Sequence, residues 1–148
     1  MEITEQLVKE RFNALNFECF DDEAKMPDKI VVNHSVMQAG SVYQNPRTKK
    51  ITLSISDMYE MTDATLDNVI AHEMIHIVLI QRYGYKKAGH NKHFKQLMKK
   101  INGMYGMNVE LNAKNIPFTE KGAKKREKLY PKNKVLKSII KLFEKVFY

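Results

Sequence analysis

Cysteine is nearly missing from this chain. Cys19 stands alone, so neither a disulfide nor a zinc ribbon can be built within the sequence, which fits a reducing compartment. Long apolar runs are missing too, and with them any membrane-spanning helix. The opening stretch Met-Glu-Ile-Thr-Glu-Gln is acidic and lacks the layout of a signal peptide. A cytoplasmic or nucleoid-associated location is therefore expected. There is no internal repeat and no low-complexity segment. With 148 residues, 43% of them hydrophobic, the chain is long enough for one domain with an ordinary core.

Net charge is missing from most of the sequence. Residues 1–111 hold 14 Lys and Arg against 14 Asp and Glu, whereas residues 112–148 hold 11 against 3. The whole excess of +8 thus sits in the last quarter. Segregated positive charge favours a polyanion, either nucleic acid or an acidic membrane surface. It is also what a solvated basic tail looks like.

What is present is concentrated in residues 70–80, Ile-Ala-His-Glu-Met-Ile-His-Ile-Val-Leu-Ile. His72 and His76 are spaced by one helical turn, with Glu73 beside the first, in the pattern H-E-x-x-H. On a helix both imidazoles project from one face. That suits Zn²⁺, which takes imidazole nitrogen at about 2.0–2.1 Å. Glu73, one step round the helix, can reach water at such a metal without being a ligand and serve as its general base. A helix is expected from about Ala64 to Tyr83, capped by Thr62 or Asp63 and stopped by Gly84. Between Val69 and Ile80 the two histidines and Glu73 are the only polar side chains, so this helix should be buried on every side. Ionisable groups buried there need a partner, and a metal supplies one to all three.

A catalytic zinc takes three protein ligands and keeps one position open. A metzincin pattern is excluded, because the Gly and His it needs are Leu79 and Arg82 here. A glutamate ligand on a following helix is excluded as well, since residues 90–109 contain no acid. His90 and His93 remain, both near the start of the next helix, and spacing does not separate them. The bland alternatives are a helix-capping His90 and a surface His93.

The rest of the chain reads as strands and covering helices. Ile3 to Phe17 is expected to be helical with Thr4 as its cap. Lys29–Asn33, Ala39–Tyr43 and Ile51–Ser56 read as strands, the last two joined as a hairpin through the Asn45-Pro46 turn. A strand edge beside the metal helix could hold an extended peptide by strand addition. A further helix should follow His90 and run to about Ile101, burying Phe94, Leu97, Met98 and Ile101. His34 is expected to be a loop or core histidine.

His-Glu-Met-Ile-His, a loop, and then Gly-His-x-x-x-Phe at the head of a helix resembles the SprT-like zinc metalloprotease family. Ala39-Gly40, Tyr43 and the strand Ile51–Ser56 are similar to that family's sheet. The resemblance covers roughly residues 1–110. It implies an α+β, zincin-like domain with a small sheet packed on helices. It also implies Zn²⁺ held by His72, His76 and, as the His directly after Gly, His90. Glu73 would be the catalytic base of an endopeptidase acting on proteins bound or crosslinked to DNA. The family's frequent C-terminal zinc ribbon is absent, so DNA contact would have to be made otherwise.

The expected division is therefore a metalloprotease domain over 1–111 and a basic extension over 112–148. Residues 112–131 read as polar and irregular, and Lys121, Lys124, Lys125, Arg126 and Lys128 are the candidates for nucleic-acid contact. Lys132 to Tyr148 reads as an amphipathic helix, docked on the core or, less favoured, lying on a membrane surface. Two other functions compete with the peptidase. One is a DNA-binding module with a structural zinc, which would recruit His93 or Cys19 as a fourth ligand. The other is a small-substrate zinc hydrolase with a narrow pocket.

Overall fold

A computed structural model describes residues 1–131 together with 138, 139, 141 and 142. The fold is a small α+β arrangement, a three-stranded sheet packed against helices. The elements run α1 (Glu5–Cys19), β1 (Lys29–Asn33), β2 (Gly40–Gln44), β3 (Ile51–Ser56), α2 (Asp63–Tyr83), a 3-10 turn (Tyr85–Lys87), α3 (Lys92–Tyr105) and α4 (Glu120–Leu129). Among the described residues no helix is long and apolar enough to cross a membrane.

The centre of the fold is α2. The Thr62 side chain accepts from the Thr65 N–H at its start, and Gly84, at φ 88°, ends it. Every residue from Val69 to Ile80 is buried, as a helix without a polar face requires. It is covered by α1, by β2 and by α3. α1 contributes Val8, Phe12, Leu15 and Cys19. It is tied to α2 by a bidentate pair, Arg11 Nε and Nη2 donating to Asp67 at 2.8 and 2.9 Å.

The sheet has the order β1-β3-β2. β2 and β3 form the expected hairpin, with Val42 opposite Leu53, while β1 pairs parallel to β3, with Val31 opposite Ser54. Ile51, Leu53 and Ile55 alternate inward along β3, the period-2 burial of a half-buried strand. β2 is left as an edge: among the described residues no strand pairs with its outer side.

One local alternative falls away and one expectation is corrected. The cap of α3 is Asn91, whose side chain accepts from the Phe94 N–H, so His90 precedes the helix and does not cap it. Residues 112–131 are not irregular throughout, because 120–129 form α4. Its sequence carries no apolar stripe, since α4 docks through main chain and polar groups. Thr119 N donates to the Met58 carbonyl at 2.9 Å, and Phe118 bridges to Tyr59. Gly122 lies so close to Met58 that an added Cβ would stand 2.1 Å from its carbonyl oxygen. Of the amphipathic helix expected over 132–148, Ser138, Ile139, Lys141 and Leu142 are helical and the remainder lies outside the described residues.

Candidate metal centre and active site

Two segments build the site. α2 presents His72 and His76 one turn apart. The chain then leaves α2 at Gly84, makes the 3-10 turn and brings His90 back over the same spot just before α3. The three Nε2 atoms form a near-equilateral triangle. His72 and His90 are 3.1 Å apart, His76 and His90 3.2 Å, and His72 and His76 3.3 Å.

The tautomers follow from the outer partners. His72 Nδ1 donates to the Glu110 carbonyl at 2.7 Å, and His76 Nδ1 donates to the Ala88 carbonyl at 2.5 Å. A carbonyl can only accept, so both rings carry their proton on Nδ1 and point an Nε2 lone pair inward. Burial pushes the His76 imidazole down to about 4, which keeps it neutral and able to donate that pair. Lone pairs facing one another at such distances repel unless a cation lies among them. Tetrahedral zinc, with bonds of about 2.0–2.1 Å, spaces its nitrogens about 3.3–3.4 Å apart. The triangle fits that requirement, and the three histidines are positioned to hold a metal ion. His93 and Cys19 are not part of the cluster. The His93 ring stacks on Tyr83 at 4.3 Å, and the Cys19 thiol contacts the Met107 sulfur at 3.6 Å.

Glu73 is fully buried, and neither carboxylate oxygen has a hydrogen-bond partner among the described residues. Its Oε1 lies 4.0 Å from His72 Nε2. Burial alone raises its pKa well above the ordinary value. Beneath it is Gly40, where a Cβ would meet Glu73 Cγ and Oε1 at 3.1 Å. The site's apolar wall is Phe94, whose ring lies 4.7–4.8 Å from those of all three histidines. On the open side, a cavity of about 170 Å³ runs between β2 and the 3-10 turn. It is bounded by Val42, His76, Ile80, Tyr85 and Lys86. Tyr85, one of its lining residues, meets Tyr43 of β2 edge-on, with ring centroids 6.3 Å apart.

The five basic candidates are divided. Lys125 Nζ donates to the His34 carbonyl, and Arg126 Nη1 donates to the Val36 carbonyl at 2.7 Å and lies over the Phe118 ring. Lys124 pairs with Glu120 at 3.2 Å, and Lys121 and Lys128 are exposed. His34 is itself on the surface, 2.7 Å from Asp57.

Sequence reasoning missed the Ala88 and Glu110 carbonyls that orient the ligands, because a backbone acceptor leaves no residue-type signal. It also missed Asn102, whose side chain accepts from the Val109 N–H at 2.8 Å and donates to the Val109 carbonyl at 3.0 Å, fixing the loop that carries Glu110.

Compared with known proteins, residues 8–118 match the sequence profile of the SprT-like family. No curated protein and no solved structure gives a significant match to the chain.

Proposed function

The chain belongs to the SprT-like family, whose domains are generally of zinc metalloprotease type, and from that premise we propose a zinc-dependent endopeptidase in which His72, His76 and His90 hold the metal and Glu73 is the general base. The observation that carries this reading is the triangle of inward Nε2 atoms, 3.1–3.3 Å on a side, beside a buried carboxylate without a hydrogen-bond partner.

A zinc ion held there supplies Lewis acidity, polarising a peptide carbonyl and making water a better nucleophile at neutral pH. Glu73 takes the proton of the attacking water and passes it to the leaving amine. Its burial suits both acts, because a carboxylate with a raised pKa holds a proton more readily near neutrality. The backbone edge of β2 borders the cavity and can bind an extended peptide by strand addition.

Proteins bound or crosslinked to DNA are the proposed substrates. The positive excess of residues 112–148 supports that choice. A structural, four-ligand zinc is less well supported, since His93 and Cys19 face other partners. The test is Glu73→Gln, which should bind zinc as the parent does and lose cleavage of casein and of a DNA-bound protein. Undiminished cleavage by that variant would remove Glu73 from the mechanism.

A further inference from the structure

We propose that a polar cavity one helical turn before the histidines, between α2 and residues 108–117, is a specificity subsite that takes a basic side chain of the substrate, arginine or lysine, one or two residues from the bond to be cut. The proposal rests on the peptidase reading above and names the residues that choose among its substrates.

Two cavities flank the histidines along α2. The one already described lies toward Ile80 and the 3-10 turn. The other, of about 220 Å³, lies toward the start of the helix, with Thr65, Asn68 and Val69 as its α2 wall. Asn68 and Val69 precede His72 and Glu73 by four residues, so each sits one turn back on the same face. β2 runs alongside in the same sense. Gly40 lies against Val69 and Glu73, and Val42 borders the other cavity with His76 and Ile80. A peptide added to the edge of β2 therefore also runs along α2. Four residues of helix rise about 6 Å, and two residues of extended chain span about 6.6 Å. A side chain that close to the scissile bond is thus in register with the cavity. The cavity also shares a wall with the metal site. Glu110 lines it, and the Glu110 carbonyl accepts from His72 Nδ1 at 2.7 Å.

The lining is acidic within a basic chain. The sequence carries 25 Lys and Arg against 17 Asp and Glu. Yet among the described residues no Lys, Arg or His lines this cavity, while Glu60 and Glu110 both do. Neither carboxylate forms an ion pair among the described residues. The wall is held in place by its own hydrogen bonds. Asn115 Nδ2 donates to Glu110 Oε2 at 3.2 Å, Asn68 Oδ1 accepts from the Asn108 N–H at 3.0 Å, and the Glu60 N–H donates to the Pro117 carbonyl at 2.7 Å. Val69, Ile116 and Pro117 add apolar surface between the polar groups. That combination suits a long basic side chain, whose methylene stem packs on apolar surface while its charged head meets carboxylate and amide oxygens. An acidic side chain in the same place would face two unneutralised carboxylates and be repelled. The size agrees with one side chain, being below the ~300–1,000 Å³ of pockets that take drug-sized ligands.

The experiment incubates the zinc-loaded full chain with a denatured whole-cell extract, its nucleic acid retained, and maps the cut bonds by mass spectrometry. Arg and Lys should be enriched at one fixed position within two residues of the cut. Two matched peptides, one with arginine at that position and one with norleucine, then give a ratio of kcat/KM. In Glu60→Gln/Glu110→Gln that ratio should fall at least tenfold (about 1.4 kcal/mol), with zinc per chain as in the parent. Glu60→Lys should turn the preference toward a glutamate peptide. Because the ratio is read within each protein, a general loss of activity cannot imitate the effect. The proposal is overturned, with the peptidase reading intact, if the cuts show no fixed basic position, if the double variant keeps the ratio within twofold of the parent's, or if the basic preference survives Glu60→Lys. If the parent cuts nothing in the extract, the peptidase reading itself fails and the subsite falls with it.

Discussion

Gly40 supports the Glu73 carboxylate by what it lacks. A Cβ at that position would stand 3.1 Å from Glu73 Cγ and Oε1 and equally close to Val69 Cγ1. The proposed general base can occupy its place on α2 because the first residue of β2 has no side chain. Gly40→Ala should therefore push the carboxylate aside while leaving the histidines alone. Expected are a fall in kcat of about 10- to 100-fold, an unchanged KM and unchanged zinc per chain. Normal turnover in this variant would show that the carboxylate has room to spare.

Glu73→Gln should lower turnover by about 10²–10⁴-fold and, in metal-stripped protein, raise stability. Burial holds this carboxyl above its ordinary 4.5. Across the window from 4.5 up to that raised value the folded chain keeps a proton that the unfolded chain releases. Stability contributed by this group is thus lost as pH rises through the window. The glutamine variant escapes the loss, so its advantage in urea midpoint should be larger at pH 8 than at pH 5. An advantage that shrinks with rising pH would contradict the sign.

Metal content separates the two downstream histidines. His90→Ala should lose most bound zinc, because it removes one corner of the 3.1–3.3 Å triangle. His93→Ala should keep one zinc per chain, since that ring stacks on Tyr83. Metal analysis of dialysed protein decides the matter, and equal loss in both would point to a different ligand set.

Asn102→Ala should act on the site from a distance. Asn102 clasps both main-chain groups of Val109, next to the Glu110 carbonyl that fixes the His72 tautomer. Zinc affinity should drop about tenfold, the lower end for an outer partner of a ligand, as competition with a chromophoric chelator would reveal.

Gly122→Ala should undock α4, because its Cβ would stand 2.1 Å from the Met58 carbonyl oxygen. Amide protection over 120–129 should fall while zinc content stays constant. Retained protection would mean that the loop around Met58 yields.

Much of this protein could be read from local patterns. The apolar run around His72, Glu73 and His76 announced a buried helix, and Thr62 and Gly84 marked its ends. Ile51, Leu53 and Ile55 announced a half-buried strand. Such signals are legible because helix and strand periods lie in contiguous residues. α4 was not legible, since it is held by Gly122 against Met58 and by Arg126 on the Val36 carbonyl, contacts without periodicity.

The sequence by itself determined that two imidazoles and a carboxylate would share one buried turn of helix, because a 3.6-residue period brings neighbours in the pattern together. It left His90 and His93 equivalent in spacing, and the family resemblance favoured His90. Tertiary structure decided which ring turns inward, which carbonyls set the tautomers, and that Gly40 lies under Glu73. Those relations join residues remote in the chain, often through main chain that every residue type shares, so only the folded packing of α2, β2 and the following loops could fix them.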